Sequence, residues 1–96
     1  MRIIKLMADY QCFPLWEASP GKVGNVDPNT LPISEGLKLK LEKWADMYDA
    51  TLNYDDQVKS GFINPEDEAR FKMEGEAIGK KLKDELGSGY TIIVKV

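Results

Sequence analysis

The side chains in this chain that could do chemistry are carboxylates, one thiol and a few aromatic rings. Asp46 and Asp49 are three residues apart and share a face of any helix that contains them, and Asp55 and Asp56 follow shortly after. Paired carboxylates can serve as general acid and base, as in glycoside hydrolysis, or hold a divalent cation. Acid–base work also needs a cleft and a raised pKa, and the sequence signals neither. The run Asn53-Tyr54-Asp55-Asp56-Gln57 lacks the loop glycine and the final acidic ligand of an EF-hand. Cys12 stands between the uncharged Gln11 and Phe13, whereas a reactive thiolate needs positive surroundings. The chain has no histidine, which removes Ser-His-Asp and Cys-His nucleophile systems and every histidine-containing zinc site. A single cysteine likewise rules out thiolate zinc sites and an internal disulfide. The expectation is therefore no enzyme, no catalytic residue, no metal and no cofactor.

Charge placement is more informative. From Glu42 to Gln57 five acids (Glu42, Asp46, Asp49, Asp55 and Asp56) face one base, Lys43. This short segment carries more negative charge than the whole chain, whose net charge is −3 from 13 basic and 16 acidic residues. Asp55 and Asp56 come after a helix end, where acids oppose the helix dipole, so helix physics does not ask for them there. One reading is a solvated face with aspartates bonding turn amides; the other is an electrostatic patch for a basic protein partner. On the second reading the partner-binding residues are Asp46, Asp49, Tyr54, Asp55 and Asp56. Tyr54 is an aromatic set among acids, and Trp16 is either a further contact or a plug in a small core. A general nucleic-acid binder would usually be basic, so no nucleic-acid partner is expected.

The elements that must position these residues follow from periodicity. Residues 2–8 alternate as a strand, with Ile4, Leu6 and Ala8 on one face. Residues 90–96 form a second strand, rich in β-branched side chains, with Tyr90, Ile92, Val94 and Val96 facing the core. Between them, Ser19-Pro20-Gly21-Lys22 suits a type II turn and predicts a hairpin over 13–26, with Pro14 confining its strand to a sheet edge. A helix over 34–53 starts at Ser34 as N-cap and buries Leu37, Leu41, Trp44, Tyr48 and Leu52. A second helix over 65–86 has Asn64 as cap, Pro65 at its first position, a stripe of Phe71, Gly75, Ile78, Leu82 and Leu86, and Gly87 as its end. Gly75 and Gly79 imply close approach to the sheet or to the first helix. The fold class is α+β: a small antiparallel or mixed sheet of terminal strands plus hairpin, packed on two helices, in a single domain spanning 1–96. Ninety-six residues leave no room for a second domain. No apolar run approaches a membrane span or a signal peptide, so no membrane partner and a cytoplasmic location are expected.

The segments KLMADY (5–10), CFPLW (12–16), VGNVDP (23–28), LPIS (31–34), WADMYDATLNYDD (44–56) and SGF (60–62) carry a resemblance. Over residues 5 to about 86 the chain resembles a family of small bacterial proteins, among them immunity proteins of contact-dependent growth inhibition and other polymorphic toxin systems. None of these segments is a catalytic motif, so the resemblance implies no catalytic residue. It implies a protein that binds the C-terminal domain of a cognate toxin, often a cationic nuclease, and neutralises it. The alternative is a homo-oligomeric accessory or regulatory module. Apolar residues on both faces of the terminal strands favour that reading, and a homodimer would form through an edge strand.

Overall fold

A computed structural model describes residues 2–51 and 65–96 of the chain. Strand β1 (Arg2–Leu6) pairs antiparallel with β2 (Leu15–Glu17), which pairs antiparallel with β3 (Gly24–Asn25). The turn between β2 and β3 closes with the Lys22 amide donating to the Ser19 carbonyl at 3.0 Å, and Gly21 supplies the positive φ of 76° that a type II turn requires at its third position. After helices α1 (Glu35–Asp49) and α2 (Pro65–Leu86), the chain returns as β4 (Tyr90–Val94), parallel to β1. The strand order is β3-β2-β1-β4, so the sheet is mixed and the fold α+β. A parallel neighbour for β1 needs a long crossover, and the helical segment provides it.

The two helices pack on one face of the sheet. Ile4, Leu6, Leu15 and Ile92 from the strands meet Leu37, Leu41 and Trp44 from α1 and Phe71, Ile78, Leu82 and Leu86 from α2. Ser34 caps α1, its hydroxyl oxygen accepting from the Leu37 amide, and its own amide and hydroxyl both donate to the Glu85 carboxylate near the end of α2. One residue thus caps one helix and ties it to the other. Both glycines of α2 mark close approach. A Cβ on Gly75 would lie 2.6 Å from the Val96 side chain and 2.7 Å from the Trp44 ring, and a Cβ on Gly79 would collide with Val94. Gly87, with φ of 74°, ends α2 in the left-handed conformation.

Several expectations are corrected. The first strand ends at Leu6 rather than 8 and the last at Val94 rather than 96, which leaves Val96 39% exposed. Helix α1 stops at Asp49 rather than running to 53. Its last turn tightens as the Thr51 amide and hydroxyl both donate to the Tyr48 carbonyl. Leu52, the last residue of the expected stripe, and Asn64, the expected cap of α2, lie outside the described residues. Pro14 does not confine its strand to an edge, because β2 lies between β3 and β1. The proline stands just ahead of β2, where a missing N–H breaks no ladder bond, and its carbonyl still accepts from Met7.

Candidate functional site

Helix α1 has two working faces. Leu37, Leu41 and Trp44 face the core, while Glu35, Lys38, Leu39, Glu42, Asp46 and Asp49 recur every three to four residues on another side. That side forms one wall of an open groove of about 670 Å³, with Ala45 on its lining. The loop 11–14 and the 3-10 turn Pro28–Thr30 form the other wall and add Asp27. Five carboxylates therefore line the groove against one amine, Lys38, which is itself paired with Glu35 at 3.0 Å. Glu35, Glu42 and Asp46 are exposed, so the charges are solvated and available. Among the described residues no group of three His, Cys, Asp or Glu side chains is placed to hold a metal ion. The carboxylates spread along the groove and do not converge.

The loop wall is held firmly. The Gln11 amide donates to Asp49 Oδ1 at 2.9 Å. The Phe13 amide donates to Asn25 Oδ1 at 2.8 Å, and Asn25 Nδ2 donates back to the carbonyls of Phe13 and Leu15. Upstream, the Tyr10 ring stacks on Tyr48 at 4.5 Å, and its hydroxyl shares a hydrogen bond with Thr51. Burial, with the Tyr10 hydroxyl nearby, pushes the Tyr48 phenol above its ordinary pKa. Cys12 is half-buried on the groove wall.

The structure sorts the residues singled out from the sequence into three places. Asp46 and Asp49 come together in the groove, although Asp49 already accepts a hydrogen bond from Gln11. Trp16 does not join them. It pairs with Lys5 on β1, on the sheet face away from the helices, is half-buried, and donates its indole N–H to the Met7 carbonyl at 2.9 Å. Tyr54, Asp55 and Asp56 lie outside the described residues. Sequence reasoning missed Asp27, Glu35 and the exposed apolar pair Phe13 and Leu39 as groove residues. The α1 members could have been found, because Glu35, Glu42, Asp46 and Asp49 follow helical spacing. Asp27 and Phe13 could not, because only tertiary folding places them opposite α1.

An open acidic groove on an α+β scaffold, free of convergent metal ligands among the described residues, gives the class: a small α+β protein with a charged, solvent-facing cleft. The chain belongs to the Serratia CdiI immunity protein-like family, whose pattern matches residues 2–95. This bears out the resemblance carried by the segments between 5 and 62. A family of immunity proteins implies, in general, a toxin protein as partner. No curated protein matches the chain. Among the described residues no helix is long and apolar enough to cross a membrane.

Proposed function

We propose that this protein is an immunity protein that binds the C-terminal domain of a cognate toxin through the acidic groove and neutralises it without chemistry of its own. The observation that carries this reading is the groove itself, where carboxylates from two separate segments face one another across a concave surface. A surface of that charge speeds association with a cationic partner and can occupy the place where a nuclease would hold phosphates. The toxin class that fits is therefore a basic nuclease. Asp46 and Glu42 are the foremost contacts on α1. Tyr54, Asp55 and Asp56 are further proposed contacts on the strength of the sequence, where the two acids add to the negative charge between Glu42 and Gln57.

The test is co-expression of the tagged protein with the product of the adjacent upstream reading frame. A stable one-to-one complex with a C-terminal toxin domain, together with protection of cells that express that domain, supports the proposal. Recovery of the protein alone, with no protection, overturns it.

A further inference from the structure

Phe13 sits on a loop that is tied down on both sides, yet its ring stays in solvent. The loop backbone bonds to Asp49 of α1 at Gln11 and to Asn25 of β3 at Phe13. Gln11 takes a φ of 59°, in the left-handed region that a residue with a Cβ rarely occupies, so the hydrogen bonds hold a strained conformation. Phe13 remains 46% exposed, and Leu39, which lines the same groove, is 50% exposed. A single exposed apolar residue is ordinary. Two that line one acidic cleft, one of them on a strained and fastened loop and the other on α1, form a surface with specific chemistry.

We infer that Phe13 and Leu39 form an apolar clamp for an arginine side chain of the partner, with the groove carboxylates receiving its guanidinium, and that Asp49 is a positioning residue that holds the Phe13 loop. The inference deepens the toxin-binding proposal and rests on it for the identity of the partner. An arginine fits for three reasons. Its long stem is apolar and lies against apolar surface while the head stays with polar groups. Its planar cation stacks on an aromatic face. Its fork of donors matches carboxylates, here those of Glu42 and Asp46, better than a lysine ammonium does. Because the loop is fixed before binding, little freedom is lost on docking. Asp49 is distinct from its neighbours, since one of its oxygens already carries the Gln11 amide.

The test uses the intact chain, folding-checked variants and two probes: the toxin domain from the adjacent reading frame and a hexa-arginine peptide, with hexa-lysine beside it. Phe13→Ala should weaken toxin binding by roughly 30-fold, the loss typical of a binding hot spot. Val23→Ala, which removes an apolar side chain that is 94% exposed and lies outside the groove, should leave binding unchanged. Asp49→Asn, which keeps the acceptor oxygen and removes the charge, should bind within about threefold of wild type. Asp49→Ala should fall with Phe13→Ala, and the double variant should lose little more than either single one. Hexa-arginine should shift the amide resonances of residues 11–13 and 42–49 and bind more tightly than hexa-lysine, with the difference lost in Phe13→Ala. Wild-type binding by Phe13→Ala, or equal binding of the two peptides, overturns the clamp. Equal losses in Asp49→Asn and Asp49→Ala overturn the positioning role. If no toxin domain is captured, the immunity reading fails, and the two peptides then decide the clamp by themselves.

Discussion

The groove wall and the seam between α1, α2 and β4 are built from the same helix, yet they follow opposite rules. In the seam, Trp44 is buried, stacks on Phe71 with centroids 4.4 Å apart and planes 5° apart, and donates its indole N–H to the Phe71 carbonyl at 2.9 Å. Gly75 lets the two helices meet at that ring, and Gly79 lets α2 settle on β4. Across α1, the groove side bears carboxylates of which Glu35, Glu42 and Asp46 are exposed, with Glu35 paired to Lys38 and Asp49 holding the Gln11 amide. Dense packing makes the seam intolerant of any change in volume. The exposed groove side chains Glu42 and Asp46 face solvent, where contact with another molecule is open to them. Tyr48 joins the two regions, stacked on Tyr10 of the groove loop and tilted against Phe71 of the seam at 5.7 Å.

The strongest break in this contrast comes from Trp44→Ala. It removes a buried ring and its hydrogen bond to the Phe71 carbonyl of α2, and should cost about 3–5 kcal/mol in chemical denaturation. The fraction that remains folded should bind toxin as wild type does. Gly75→Ala comes next. The added methyl meets the Trp44 ring, overpacking costs typically about 1–3 kcal/mol, and the gain in helix propensity offsets up to about 1 kcal/mol of it. A clear fall in melting temperature is the expected result; a more stable variant would mean that α2 shifts freely and that the seam is not tight.

Charge reversal in the groove, Glu42→Lys with Asp46→Lys, should behave in the opposite way. Stability should change by no more than about 0.5 kcal/mol per site, as at ordinary surface positions. Association with the toxin domain should slow about tenfold or more at low salt, and the difference should shrink as salt screens the charges. An unchanged association rate would remove the acidic groove from the interface.

The smallest effect lies at the junction. Because burial raises the Tyr48 pKa, folding favours the neutral phenol. That contribution is complete below the unfolded pKa of about 10 and is lost as pH rises through the higher folded value. Stability should therefore decline in the alkaline range, and Tyr48→Phe should flatten the decline when unfolding is followed between neutral and alkaline pH.

Much of this architecture is local and was readable in the chain. The Ser34 cap, Pro65 at the start of α2, the Gly87 ending and the Pro20-Gly21 turn each depend on the conformational limits of one or two residues. The helix stripes were readable for the same reason, since burial repeats with the helical period. Both candidate carboxylates within the described part of α1 were readable as acids on one helix face. What they face was not. Asp27 and Phe13 reach the groove from segments far away in the sequence, and the pairing of β2 on β1 is what places Trp16 on the far side of the sheet.

Sequence alone thus determined the helices, the terminal strands, the α+β class and the excess of negative charge between Glu42 and Gln57, because each depends on neighbours within a turn or two of chain. Tertiary structure decided the parallel partnership of β1 with β4, the internal position of β2, the engagement of Asp49 with a backbone amide and the second wall of the groove. Those features depend on contacts between segments that only the closing of one hydrophobic core brings together, and no local preference of the residues involved encodes them.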